Sequence, residues 1–267
     1  MPTRAGTWRA HGAADPAQPL YWARVSAGSS TSDLGLTILI PALNEAGNIG
    51  PLVERCRATI ARIGVPAEIL VVDGGSTDAT VDDATRAGAR VLRQEGRGYG
   101  GALRTGFQAA RGRHVQTLDS DLSHEPEVIE SLWRARDRAD IVIASRYVPG
   151  GGADMPKFRA VLSRILNVTF TRAFRLPVHD ISSGFRLYQK AALDRITFRA
   201  SDFDVLEEIL ILIYNGGGTI AEVPFQYRPR QAGKSHAKLF KFGVAYARTF
   251  HAMWKLRKQS TRSNDRA

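Results

Sequence analysis

Thr117-Leu118-Asp119-Ser120-Asp121-Leu122-Ser123-His124 is an apolar run that closes in two aspartates one residue apart. In a strand, alternate side chains share a face, so Asp119 and Asp121 are expected to project together from a strand's C-terminal end. That is the edge at which α/β sheets bind ligands. Two close carboxylates repel each other unless a cation lies between them. A hard divalent ion, held by one or two carboxylates and completed by substrate phosphates, suits such a pair. A lone Asp-x-Asp is more often a solvated turn, so the neighbouring sequence has to decide.

Two earlier turns have the same character. One apolar run ends in Ile40-Pro41-Ala42-Leu43-Asn44-Glu45, and another in Val71-Val72-Asp73-Gly74-Gly75-Ser76-Thr77-Asp78. Ser76 and Thr77 also suit helix N-caps. Around these turns, short apolar runs (36–41, 68–73, 89–93, 114–118, 140–145) alternate with helical patterns (48–63, 77–87, 100–111, 125–138). That alternation predicts an α/β fold, a mostly parallel twisted sheet flanked by helices. Beyond Arg146 the rhythm changes to a Gly-rich loop at 149–152 and a basic helix over 157–174. A strand over 184–188, a helix over 204–214, a strand over 219–227 and a long helix over 236–257 follow.

Composition narrows the function classes. The chain has 267 residues, a net charge of +11 and one cysteine, Cys56, which excludes an internal disulfide and fits a reducing compartment. No apolar run approaches the ~20 residues of a membrane span, and the N-terminal residues lack the apolar core of a secretion signal. A cytoplasmic location follows as the expectation. Residues 228–258 hold nine Lys/Arg and no acid, and residues 155–186 hold six Lys/Arg and one acid, Asp180. An anionic partner for the second half is implied: a phosphorylated substrate, an anionic membrane surface or nucleic acid. Against nucleic acid, the basic residues are not interleaved with a stacking-aromatic module, and the acids at the strand ends would repel phosphate without metal.

The motifs in order, Pro-Ala-Leu-Asn-Glu from Pro41, Val-Val-Asp-Gly-Gly-Ser-Thr-Asp from Val71 and Asp-Ser-Asp-Leu-Ser-His from Asp119, resemble family 2 glycosyltransferases of GT-A fold. Ala144-Ser145-Arg146-Tyr147 and the box Gly184-Phe185-Arg186-Leu187-Tyr188 after Asp180 are similar to the polyprenol (dolichol) phosphate mannosyltransferase branch. The resemblance runs from about Leu36 to Leu239. It implies that Pro41, Leu43, Glu45 and Asp73 cradle the base and ribose of a nucleotide-diphosphate sugar donor. It also implies that Asp119 and Asp121 bind Mg²⁺ or Mn²⁺, with Asp119 nearer the ribose, and that Arg97 approaches the donor. Arg146, Arg159 and Ser163 are implied to hold the phosphate of a polyprenyl phosphate acceptor, with Asp180 orienting sugar or acceptor. Two departures stand out: Asp73-Gly74-Gly75-Ser76 keeps only the first acid of the family's Asp-Asp-Gly-Ser, and Ser123 stands where many relatives have Gln.

The resulting plan has a flexible segment 1–34 and a GT-A domain 35–235, with a donor half 35–146 and an acceptor half 147–235. A basic amphipathic helix 236–257 and a loose tail 258–267 complete it. The reaction implied is inverting hexose transfer, mannose favoured and glucose possible, at the cytoplasmic membrane face. A soluble enzyme acting on a sugar hydroxyl is the alternative, and would need a general base, with Asp180 or Glu208 the candidates. Gly96-Arg97-Gly98-Tyr99-Gly100-Gly101 contains a G-x-G-x-x-G, but a dinucleotide fingerprint belongs at the first strand-to-helix turn, and this is the third. Asp180 is also free, on sequence grounds, to pair with Arg159 or Arg186. Glu207 and Glu208 read equally as function or as an exposed helix face. In the last helix Leu239, Phe242, Tyr246, Phe250, Met253 and Trp254 recur near the helical period, with Lys241, Arg248 and Lys255 along another stripe. That pattern fits either a membrane interface or packing on the domain.

Overall fold

The computed structural model describes residues 34–228 and 247–255, without the side chains of Lys157 and Arg159. Residues 1–33, the stretch 229–246 with His236 and the first half of the expected last helix, and the tail from 256 lie outside the described residues.

The central strand, β1 (Leu36–Ala42), is buried at every position. It pairs in parallel with β2 (Ala67–Asp73) on one side and β4 (His114–Thr117) on the other. The order across the seven-stranded sheet is β3-β2-β1-β4-β7-β5-β8, with β3 (Arg90–Arg93), β7 (Arg186–Gln189), β5 (Ile141–Ser145) and β8 (Ile220–Pro224). A strand buried on both faces needs apolar residues at odd and even positions alike, which is why these segments read as continuous runs. Leu39, Leu70 and Val72 face one core, and Ile38, Ile40, Ile69 and Val71 face the other.

The first core is closed by α3 (Gly98–Ala109), α5 (Lys157–Phe174) and α7 (Val205–Asn215), and the second by α1 (Ile49–Ile63), α2 (Thr80–Arg86) and α4 (Ile129–Arg134). α3 lies close on the sheet because Gly106 has no side chain. A Cβ there would come within 2.3 Å of Leu39 Cδ1. Residues 247–255 are helical and sit on the first core, with Met253 buried and Phe250 edge-on to Phe170 and Phe174. The described part of the last helix therefore packs its aromatic face on the domain.

The structure departs from the sequence expectations in several places. β7 is antiparallel to both β4 and β5, so the parallel sheet is split. α2 starts at Thr80, and Ser76 and Thr77 do not cap it. Ser76 Oγ instead accepts the Asn44 N–H at 2.9 Å, joining the first two turns. The expected helix over 125–138 is a 3₁₀ turn, Pro126–Val128, followed by the short α4. The expected strand over 219–227 breaks after Pro224. Its end, β9 (Gln226–Tyr227), pairs with β6 (Gly152–Ala153) in a separate two-stranded sheet. A four-residue helix α6 (Lys190–Leu193) follows β7.

Glu207 and Glu208 do not form an exposed face, since both are buried on α7. Glu208 accepts the N–H groups of Arg199 and Ala200 at 3.0 and 2.7 Å, fixing the loop before the helix. Neither carboxylate oxygen of Glu207 has a hydrogen-bond partner among the described residues. Burial pushes its carboxyl up from an ordinary 4.5 to about 8, against the opposing charge of Arg186. The folded state therefore binds a proton that the unfolded chain releases above 4.5, and stability falls as pH rises from there to about 8. The slope is ~1.4 kcal/mol per pH unit. Glu207→Gln removes this slope, so urea denaturation should find the variant more stable than the parent at pH 8, with the gap closing in acid. An unchanged slope would count against a buried neutral Glu207.

Candidate active site

The register of β1 brings the three turns together. Ala42 pairs with Asp73, Leu39 with Thr117, and the Leu118 N–H donates to Leu39 O. Pro41, Leu43 and Glu45 at the end of β1, Asp73 at the end of β2, and Asp119 and Asp121 beyond β4 thus line one edge. The Asp73 carboxylate accepts the N–H groups of Gly75 and Ser76, each at 3.0 Å, and shapes its own loop. Asn44 Oδ1 accepts the Thr77 N–H at 2.8 Å. Thr80 Oγ1 accepts the Glu45 N–H at 2.8 Å, and Glu45 Oε2 accepts from Asn48 Nδ2 at 2.8 Å. Leu43 is exposed on this rim.

The aspartates are placed differently from the expectation. β4 ends at Thr117, so both lie in a turn and strand alternation does not align them. The turn is held by two bonds: the Asp119 N–H donates to His124 Nδ1 at 3.0 Å, and the Ser123 N–H donates to Asp121 Oδ1 at 3.0 Å. Between them Leu122 has φ 62°, a left-handed conformation that costs a branched residue about 1 kcal/mol or more. Ser123 is buried and contributes its backbone to Asp121.

His124 and Tyr99, given no role from the sequence, close the site. The buried His124 ring stacks on Phe185 (4.8 Å between centroids, 12°) and meets Phe225 edge-on. Burial lowers its pKa, against the pull of Asp119 and Asp121. The position of His124 three residues after the Asp-x-Asp motif was the available signal. Tyr99, on the first turn of α3, makes a long hydrogen bond of 3.4 Å to Asp119 Oδ1 and stacks on Phe203 at 4.6 Å. Burial, then the charge of Asp119, raises its pKa well above the usual value. Arg97, exposed at the N-cap of α3, is two residues from this contact.

Gly184 lies close against Tyr99 and Asp119. A Cβ there would lie 3.1 Å from Tyr99 Oη and 3.6 Å from Asp119 Oδ1. By the chemistry of their hard oxygen donors, Asp119 and Asp121 fit a Mg²⁺ or Mn²⁺ ion whose remaining ligands come from a substrate. Among the described residues no group of three His, Cys, Asp or Glu could hold a metal without that help.

At the end of β5, Arg146 and Asp180 form a buried ion pair. Arg146 Nε and Nη2 each donate at 2.7 Å to the two Asp180 oxygens, and the Arg146 N–H donates to Oδ2. The partner expected at Arg186 is not the one found. Arg186 is fully buried and donates to the carbonyls of Ser183, Leu206 and Ile181. Burial alone would raise the Asp180 carboxyl, but the Arg146 hydrogen bonds and charge hold it below its ordinary value. Burial likewise opposes the Arg146 charge, and Asp180 overcomes it and raises the guanidinium pKa. Ser163 Oγ accepts from Tyr147 Oη at 2.8 Å, and Arg146 Nη2 also donates to Ser182 Oγ. A cavity of about 350 Å³ opens here, lined by Arg146, Tyr147, Arg164, Asn167, Thr171 and His179 among others. Arg164, given no role from the sequence, also lines this cavity, and the side chain of Arg159 lies outside the described residues. The two halves of the site meet at His124, which feels the charges of Asp119, Asp121, Arg146 and Asp180.

The sequence profile described as Glycosyl transferase family 2 matches residues 37–197. The chain belongs to that family. Polyprenol monophosphomannose synthase of Mycolicibacterium smegmatis is 33% identical over 215 residues, covering 74% of this chain and 79% of that protein. Dolichol-phosphate mannosyltransferase of Pyrococcus furiosus is 31% identical over 214 residues, 76% of this chain but only 59% of that protein's length. The crystal structure of Mycobacterium tuberculosis glucosyl-3-phosphoglycerate synthase with Mn²⁺, UDP and glucosyl-3-phosphoglycerate superposes with a TM-score of 0.67 at 22% identity. It covers 83% of this chain and 80% of that one, and the likeness establishes the GT-A fold. This family 2 glycosyltransferase contains no helix, among its described residues, long and apolar enough to cross a membrane.

The ion pair gives a stability test. Asp180→Asn leaves Arg146, with a side chain 12% exposed, without its counter-charge, and should cost ~3–5 kcal/mol at neutral pH. Because the Asp180 pKa is depressed, the parent keeps this stabilisation above the ordinary carboxyl pKa and loses it as pH falls through the folded value. The gap in unfolding free energy between parent and variant should therefore shrink in acid. A pH-independent gap would contradict an ionised Asp180.

Proposed function

We propose that this protein transfers a hexose, mannose before glucose, from a nucleotide-diphosphate sugar to a polyprenyl monophosphate at the cytoplasmic face of a membrane. The transfer inverts the anomeric carbon and depends on Mg²⁺ or Mn²⁺. The names of the two relatives, a polyprenol monophosphomannose synthase and a dolichol-phosphate mannosyltransferase, support the lipid phosphate and the sugar.

The observation that carries the acceptor class is the engagement of the carboxylates. A sugar hydroxyl needs a general base to become nucleophilic. The two candidates are both occupied: Asp180 by Arg146 and Glu208 by backbone N–H groups. A phosphate monoester, with its second pKa near ~6, is already mostly a dianion at neutral pH and needs no such base. On this reading Asp180 positions Arg146 beside the cavity and moves no proton.

The remaining roles follow the strand ends. Pro41, Leu43, Glu45 and Asp73 hold base and ribose, and Arg97 approaches the donor diphosphate. Asp119 and Asp121 would hold the metal, which when bound neutralises charge on the leaving nucleoside diphosphate. Arg146, Arg159 and Ser163, joined by Arg164, bind the acceptor phosphate. An arginine fork suits phosphate oxygens.

Thermal-shift titration with nucleotide diphosphates should show stabilisation only with Mg²⁺ or Mn²⁺ present, and Asp121→Asn should remove the metal-dependent part. In transfer assays the acid limb of kcat/KM for a polyprenyl phosphate should fall near the acceptor's own second pKa, ~6. It should move when the acceptor is replaced by a phosphonate of different pKa. A limb that stays with the enzyme, or transfer to free sugars with none to lipid phosphate, would instead establish a hydroxyl-directed enzyme.

A further inference from the structure

α5 is apolar on two sides. Its inward side buries Phe170 and Phe174, which meet Phe250 of the terminal helix. On its outward side Phe158 is 66% exposed, Val161 57%, Leu162 40%, Ile165 58% and Val168 39%. Positions 158, 161, 162, 165 and 168 recur at three- and four-residue steps, so they form one stripe along the helix. At 1.5 Å per residue it runs ~15 Å. Five of the nine exposed large apolar residues of the described chain lie on this one helix. Scattered exposed apolar residues need no explanation, but a contiguous set marks a docking surface.

The charge of the helix identifies the partner. α5 contains Lys157, Arg159, Arg164 and Arg172 and no acidic residue, and Arg164 and Arg172 are exposed. An apolar stripe rimmed by cations is the makeup of a helix that lies in the headgroup layer of an anionic bilayer. Phe250 and Trp254 of the terminal helix are already stacked on each other and set against Phe174. The free apolar face is therefore on α5. Val168 of the stripe lines the cavity beside Arg146, together with the exposed Arg164, so the cavity opens at the edge of the stripe.

We propose that the outward face of α5 docks this protein onto an anionic lipid surface, with the cavity mouth at headgroup depth. The surface rests on the exposure and charge of α5. Its alignment with an acceptor phosphate rests on the function proposed above.

The full chain is floated with vesicles of phosphatidylcholine alone and with phosphatidylglycerol added. The parent should bind only the anionic vesicles, and the bound fraction should fall with salt. Val161→Glu with Ile165→Glu should lower the vesicle partition coefficient by at least about tenfold, since even one such residue kept out of lipid forfeits ~1.5 kcal/mol. The same variant should keep its activity on a short-chain, water-soluble acceptor phosphate and lose it on vesicle-embedded acceptor. Separately, Phe158→Trp should add fluorescence that blue-shifts and is quenched by brominated lipid. Unchanged flotation of the double variant overturns the proposal, as does added indole fluorescence that brominated lipid leaves unquenched in bound Phe158→Trp protein. So does a parent dimer that the double variant dissociates in sedimentation, because a second copy then covers the stripe. Vesicle binding without any transfer to an acceptor phosphate overturns the proposed function and leaves the surface standing. Transfer to the soluble acceptor without vesicle binding does the reverse.

Discussion

The parallel pairing of β1 with β2 and with β4 is the constraint on which the site depends. Parallel strands all finish at the same edge, and the register sets Ala42 opposite Asp73 and Leu39 opposite Thr117. Polar residues that follow three apolar runs, dozens of positions apart in the chain, are thereby brought into one line without any contact between the runs' own loops. The loops then lock onto one another, Asn44 to Ser76 and Thr77, Glu45 to Thr80. A one-residue slip of any of these strands would turn its core residues outward, so burial of the strands fixes the geometry of the edge.

Buried charge sets the second half of the site. Arg146 and Asp180 come from segments 34 residues apart and satisfy each other almost out of water. Such a pair contributes little net stability, yet removing one member is costly, so it acts as a geometric lock on the end of β5. Arg186 is settled by three carbonyls instead, and Glu207 nearby keeps its proton. The chain thus stores unfavourable desolvation in the groups whose charges reach Asp180, as strained and charged functional sites commonly do.

Much of this was legible in the sequence. The buried runs of β1, β2, β4 and β5 announced the sheet, and the polar residues after three of them announced the edge. Local chemistry misled where side chains cap a loop rather than a helix: Asp73 and Asp78 bind N–H groups of the β2–α2 turn and delay α2 to Thr80. The two-residue strands β6 and β9 carry no periodicity to detect. Burial of Glu207 and Glu208 was not among the readings the sequence offered, function or an exposed helix face, because carboxylates are rarely buried alone. What buries them, the packing of α7 on the sheet and the turn at 199–200, is long-range. The partner of Asp180 was equally beyond reach, since several arginines were available and only the fold chooses among them. His124 stood inside the decisive motif, but its function as the acceptor of the Asp119 N–H depends on Leu122 turning left-handed.

The antiparallel strand β7 has a consequence for how the chain can be divided. Because it runs against its neighbours, β7 begins at the edge where β4 and β5 end, and so delivers Gly184 and Phe185 to the acids and to His124. It also lies between two strands that precede it in sequence. A cut after Arg146 would leave an N-terminal fragment with a gap in mid-sheet and a C-terminal fragment with no sheet to join. The two halves of the candidate site therefore share one interleaved framework. Exchanging the portion after Arg146 between relatives would mean replacing an interior plank of the sheet, whereas α5, attached by one face, can vary with far less disturbance.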